Sequence, residues 1–286
     1  MLNWPAGLIS AGADLHKGCK PRQYRAGRFE SESMCGRFTL RASLADLRQM
    51  FLPDVDPQDF TLPTDPPRYN IAPTQSVAVI RQSNAGDRRE GTAMRWGLVP
   101  SWADDLTVGA RMINARCETI DEKRSFRNAF QQQRCLIPAD GYFEWQKRAA
   151  AKQPYLIHRP DNGVFAMAGV WESNSKIANG SEPILSFSVI TTPANQVTGK
   201  IHDRMPVIID PSDFDRWLDP NHRDTPSLKK QLAAAPSDFF VTTPVSRHVN
   251  HVRNDDPECV RPIDLKAFPP PATRRPQATQ TTMFDD

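Results

Sequence analysis

The 286-residue sequence has no stretch approaching the roughly 18 to 20 consecutive apolar residues that cross a bilayer. Its first thirty residues lack a compact apolar run followed by a small-residue cleavage site. A membrane helix and a secretory leader are thereby set aside, and a cytoplasmic protein is the expectation. The five cysteines (Cys19, Cys35, Cys117, Cys135 and Cys259) are odd in number, far apart and never spaced C-x-x-C. That spacing encodes neither a disulfide framework nor a zinc site, and free thiols fit best. The net charge of +3 is too small to give a broad electrostatic footprint for nucleic acid, so any such contact must come from local placement of Lys and Arg. No internal repeat is visible.

What is present divides into three zones. Residues 1–34 mix five basic side chains with scattered Gly and Pro and show no hydrophobic period, so they read as a disordered extension, a propeptide or a mis-called start. Residues 267–286 begin FPPP and hold little apolar material, which predicts a disordered tail. Between them, residues 35–266 carry β-branched and aromatic runs at 76–82, 134–140, 154–159, 164–172, 184–192 and 205–210. Helical patterns are fewer, at about Ser43 to Phe51, Ser125 to Gln132, Pro211 to Leu218 and Ser227 to Ala235, with Ser125, Ser212 and Ser227 as candidate caps. With 39% hydrophobic residues the chain can bury a sizeable core. The expected fold is a single α+β domain with a curled, barrel-like mixed or antiparallel sheet and peripheral helices.

Chemistry concentrates in a few segments. Met34-Cys35-Gly36-Arg37-Phe38 sets a small residue directly after a methionine, the context in which an initiator methionine is removed. Cys35 read alone is a partly buried cysteine at a strand start. RMINARCET (111–119), DGYFEW (140–145) and IHDRMP (201–206) place polar or ionisable residues inside strand-like stretches. Together with RYNIAPTQ (68–75), RWGLVPSW (95–102) and TPVSRHVNHVRN (243–254), these resemble, in order, the SOS response-associated peptidase family of abasic-site processing proteins. The likeness runs from about Cys35 to Ile263.

That resemblance implies Cys35 as the reactive residue, with Asn114, Glu144 and His202 as its active-site partners. It implies a DNA–protein crosslinking activity on abasic sites in single-stranded DNA, with accompanying lyase and peptidase-type activities, no cofactor and no metal. The same resemblance implies association with the nucleoid on damage. The chemistry suits a terminal cysteine. At pH 7.4 a lysine amine is neutral about 0.1% of the time and an α-amine roughly 30%, so the α-amine attacks an aldehyde far more readily. A thiol on the same residue then closes a five-membered thiazolidine on the imine. Glu144 is expected as general acid and base, His202 as the partner that opens the sugar ring, and Asn114 as an uncharged positioning group. Arg37, Arg116 and Arg204 each stand two residues from one of these, a spacing that shares a strand face and suits phosphate contact. Trp102 is a candidate for stacking on bases; Trp96 fits stacking and the core equally.

Thirty-four residues precede Cys35, and its amine must be freed. Either translation begins at Met34 or the protein removes its own propeptide; the non-folding character of residues 1–33 favours the first. Two rival functions remain open. An N-terminal cysteine hydrolase or amidotransferase would form a thioester, and a non-catalytic single-stranded DNA module would not need Cys35. In the tail, Gln280, Met283 and Phe284 resemble a short peptide that docks on the replication sliding clamp, although such five-residue matches arise easily and a solvated end is the simpler reading.

Overall fold

β-Branched runs bounded by Pro, Gly and Asn build the scaffold. The computed structural model describes residues 36–55, 67–83, 86, 88–148, 151–177 and 182–266. Cys35 with everything before it, and the tail with Gln280, Met283 and Phe284, lie outside the described residues. The strands in chain order are β1 Arg37–Leu40, β2 Arg68–Ile71, β3 Ser76–Gln82, β4 Arg89–Trp96, β5 Asn114–Arg116, β6 Arg134–Ala139 and β7 Gly141–Lys147. They continue with β8 Lys152–His158, β9 Phe165–Asn174, β10 Ile184–Pro193, β11 Arg204–Pro206, β12 Ile208–Ile209 and β13 Val241–Pro244. The α-helices among the described residues are short: α1 Leu44–Phe51, α2 Arg127–Gln132, α3 Phe214–Leu218 and α4 Thr225–Lys230.

Strands β10, β4, β3, β6 and β9 pair in that order, and β9 pairs back onto β10, which closes a five-stranded barrel. Only the β10–β4 contact in the ring is parallel. Closure leaves no edge on these strands. β5 and β11 attach to the last residues of β10, and β12 to β9. A second, antiparallel sheet runs β13-β8-β7-β1-β2. This is the α+β, barrel-like architecture that the sequence predicts.

The core explains several residue choices. β6 is buried at every position, as its unbroken apolar run requires. Its one charge, Arg134, donates to the carbonyls of Phe130, Gln131, Trp217, Asp219 and His222, collecting chain ends behind α2 and α3 that would otherwise be unsatisfied. Trp96 is 1% exposed, stacks on Phe187 with centroids 6.3 Å apart and meets the edge of Phe38 at 5.1 Å. It is therefore a core residue and offers no face to a base.

Local differences have local causes. α2 begins at Arg127 with no side-chain cap, so Ser125 does not cap it. At Pro211 and Thr225 the caps are Asp210 and Asp224, whose carboxylates accept from the backbone N–H groups of Ser212 and Ser227. A carboxylate at a helix N-terminus also complements the helix dipole, which a serine hydroxyl does not. The expected strand at 205–210 breaks into β11 and β12 around Val207, after Pro206 has removed a backbone donor.

Candidate active site and its surroundings

Two short strands attach to the far end of β10. β5 runs parallel to β10 with Asn114 opposite Val189 and Arg116 opposite Thr191, while β11 runs antiparallel with Arg204 opposite Pro193. Asn114 and Arg116 share one face, because Ala115 between them is fully buried. Asn114 is half-buried and Arg116 exposed.

Two glycines set the position of Asn114. Gly97 adopts φ +116° and its carbonyl lies against Gly109; a Cβ on Gly109 would sit 2.5 Å from that oxygen. No residue with a side chain fits both places. The close approach lets the 3-10 turn Leu106–Arg111 lie on the segment after β4, where Leu98 N–H donates to Met112 O and Trp96 Nε1–H to Ile113 O. Asn114 follows directly.

Glu144 lies on β7 and is 2% exposed. It shares a face with Tyr142, which packs in the main core, and with Gln146. Gln146 Nε2 donates to Lys200 O at 2.9 Å, which ties this face of β7 to the turn that carries His202. β1 pairs β7 with Arg37 opposite Phe143, Phe38 opposite Tyr142 and Thr39 opposite Gly141. Continuing the ladder by one residue sets Gly36, the first described residue, opposite Glu144.

His202 is half-buried, and its Nδ1 accepts from Arg204 N–H at 3.1 Å. Asp203 Oδ1 lies 3.1 Å from the same Nδ1. Arg204 N–H and the Asp203 carboxylate thus both face Nδ1, one able to donate to it and the other to accept from it.

The four predicted DNA contacts differ in what they have left to offer. Arg204 is 8% exposed, with its guanidinium paired to both carboxylate oxygens of Glu118 and donating to Thr191 O at 2.7 Å. Burial alone would lower its pKa, but the hydrogen bond and charge of Glu118 outweigh that and raise it. The same bond pulls the Glu118 carboxyl down to about 2. Arg37 donates to Asn70 Oδ1, Val249 O and Asn250 O, and burial lowers its pKa. Arg116 has an exposed side chain. Trp102 is 41% exposed with the Arg124 guanidinium 5.1 Å from its ring centre, and the carbonyls of Pro100 and Ala103 on either side accept from Asn174 Nδ2.

Among the described residues His248, Asp256 and Cys259 bring potential metal-binding atoms within 4.8 Å of one another. Their bonds are already closed: His248 Nε2 meets Asp256 at 2.9 Å, His248 Nδ1 meets the Asn254 amide at 3.1 Å, and Cys259 Sγ donates to Asn254 O. With Nδ1 accepting from that amide, Nε2 carries the proton, and the cluster is satisfied as a hydrogen-bonded turn without an ion. Cys135 is fully buried and its thiol is pushed up by burial, while burial raises the Cys117 thiol too. Neither is a ready nucleophile.

Sequence reasoning assigns no role to Asn70, Glu118, Trp145 or Asp255. RYNIAPTQ and NHVRNDD are the visible traces of two of them, but which long-range partners they find is not encoded locally.

Residues 34–252 match the model of the SOS response associated peptidase (SRAP) family. The abasic site processing protein YoqW of Bacillus subtilis is 38% identical over 229 residues, covering 79% of this chain and 99% of that one. The abasic site processing protein HMCES of Gallus gallus is 33% identical over 231 residues, covering 70% and 67%. A crystal structure of a protein from Bacteroides thetaiotaomicron superposes with a TM-score of 0.66 at 26% identity, covering 80% of this chain and all of the other. This chain belongs to the SOS response associated peptidase family.

Proposed function

We propose that this protein captures abasic sites in single-stranded DNA through the α-amine and thiol of Cys35, once Cys35 is the N-terminal residue. The observation that carries the reading is the β1–β7 register, with Arg37 opposite Phe143; continued by one residue, it brings the residue after Cys35 opposite Glu144, which is buried. The curated relatives named as abasic site processing proteins support the substrate class.

The neutral amine adds to the C1′ aldehyde of the opened sugar to give a carbinolamine, which loses water to give an imine. The thiol sulfur then adds to the imine carbon, and its proton passes to nitrogen. One water leaves overall and a thiazolidine remains. Glu144 carries the proton that moves between amine and departing hydroxyl. His202 donates a proton to the ring oxygen as the hemiacetal opens. Asn114 positions the reacting groups without adding charge. If ring closure lags, loss of the C2′ proton from the imine expels the 3′ phosphate, which gives lyase activity. Release of Cys35 from Met34 or from a longer leader is the accompanying peptidase step.

Arg116 and Trp102 are the proposed DNA contacts, one for a phosphate and one for a base face. Arg204 reaches the site through Glu118 and Thr191, and we assign it a positioning part. Arg37, expected from its spacing to contact a phosphate, has donors committed to Asn70, Val249 and Asn250, and we assign it a positioning part as well. The sliding clamp is a proposed partner through Gln280, Met283 and Phe284. The deciding test compares protein starting at Cys35 with its Cys35→Ser variant on single-stranded DNA bearing one abasic site, run on a denaturing gel. A slow-migrating conjugate with the first and none with the second is expected; equal conjugation by both removes Cys35 from the mechanism.

A further inference from the structure

β2 does not pair evenly with β1. Phe38 stands opposite Ile71 and Leu40 opposite Arg68, so Tyr69 and Asn70 together oppose the single residue Thr39. This is a β-bulge, which leaves backbone donors without ladder partners and re-aims a side chain. Here the two donors are satisfied from a distance: Asp255 Oδ1 accepts from Tyr69 N–H at 2.5 Å and Asn70 N–H at 2.9 Å. The other carboxylate oxygen, Oδ2, takes Arg68 Nε–H at 2.5 Å.

The side chain that the bulge re-aims is that of Asn70, which is fully buried. Its Nδ2 contacts three carbonyls of one loop, Val249 O at 3.2 Å, His251 O at 3.1 Å and Asn254 O at 2.7 Å. Its Oδ1 accepts from Arg37 Nη1 at 2.9 Å. Arg37 in turn donates to Val249 O at 2.7 Å and Asn250 O at 3.2 Å, and lies 5.6 Å from the centre of the Trp145 ring. Trp145 Nε1 closes the circuit on Asn250 Oδ1 at 2.8 Å. Among the described residues no carboxylate pairs with Arg37; its charge is held by neutral oxygens, a geometry that fixes direction as well as position.

We infer that Asn70, aimed by the Asp255-capped bulge, is a positioning residue: through Arg37 and the 249–254 loop it fixes the end of β1 from which the reactive Cys35 extends. The inference rests on the function proposed above. Arg37 stands two residues after Cys35, and two peptide units span at most about 7 Å, so a loosened Arg37 lets the amine wander from the aldehyde. Misplacement by about 1 Å can cost on the order of a hundredfold in rate. Asn70 itself touches neither the reacting atoms nor an exposed surface, so its loss should slow conjugation without weakening DNA binding.

The experiment uses protein beginning at Cys35, as wild type, Asn70→Ala and Asp255→Asn. Single-turnover conjugation to abasic single-stranded DNA is measured at saturating protein, beside affinity for the same strand carrying an unreactive tetrahydrofuran analogue. Asn70→Ala should conjugate at least ~10-fold more slowly while its affinity for the analogue stays within about threefold. Asp255→Asn, which keeps an acceptor at the bulge, should fall between the two and gives the same comparison if Asn70→Ala does not fold. Conjugation at the wild-type rate by the folded variants overturns the positioning role, and so does a slowing matched by an equal loss of affinity. No conjugate from the wild-type protein would refute the proposed function as well, whereas normal conjugation by the variants refutes the positioning role alone.

Discussion

Replacing Glu118 by glutamine tests whether the pair with Arg204 holds the end of β10 together. Arg204 Nη2 reaches Glu118 Oε2 at 2.9 Å and Thr191 O at 2.7 Å, so the pair bridges the chain leaving β5 to β11 across β10. The Glu118 carboxyl is held at about 2 against an ordinary 4.5, chiefly by the Arg204 hydrogen bond. Taken at face value that difference corresponds to about 3.4 kcal/mol. The Glu118 side chain is 45% exposed, so solvent screening reduces the expected contribution to about 1–2 kcal/mol.

The direction with pH follows from linkage. A depressed carboxyl stabilises the fold above its unfolded pKa near 4.5 and loses that contribution as pH falls toward 2. At pH 7 the full difference between wild type and Glu118→Gln should appear as a melting-temperature loss of about 2–8 °C. At pH 3.5 about two-fifths of it should be gone. Urea unfolding of both proteins at the two pH values reads this directly. An equal difference at pH 7 and pH 3.5, or none at pH 7, would refute the reasoning.

Other consequences are open to simpler tests. Gly109→Ala should destabilise the fold by roughly 1–3 kcal/mol, because its new Cβ meets the Gly97 carbonyl at 2.5 Å, and chemical denaturation will show it. Trp102→Ala should weaken single-stranded DNA binding by about 1–3 kcal/mol in a fluorescence titration, with little change in melting temperature because the ring is 41% exposed; the opposite pattern would make Trp102 a packing residue. Glu144→Gln should slow conjugation about 100-fold or more while leaving affinity for an unreactive analogue unchanged.

How far the sequence could be read depended on how local each signal was. The runs at 76–82, 134–140 and 184–192 became β3, β6 and β10 because β-branched side chains on a buried sheet declare themselves. β4, written REGTAMRW, was passed over: its polar residues look like a loop, and only pairing with β3 along its whole length makes it a strand. DGYFEW reads as a strand-like stretch with a polar interruption, and β7 runs through it as Gly141–Lys147. Among the candidate site residues, Asn114, Glu144 and His202 are named through the family resemblance of the motifs that hold them, each being an ordinary polar residue when read alone. Asn70 and Asp255 are not, because their meaning lies in partners 179 and 186 residues away. Arg204 looked like a phosphate contact for the same reason: only the fold brings Glu118 against it.

The central claim concerns one covalent bond, and the mass of that bond tests it. Protein beginning at Cys35 is reacted with an abasic single strand and digested, and the conjugate is weighed before and after borohydride. The account predicts a peptide starting at Cys35 joined to the sugar with loss of a single water, and a mass that borohydride leaves unchanged because a thiazolidine has no C=N bond to reduce. A conjugate that gains two hydrogens, or one attached at a lysine, would contradict it.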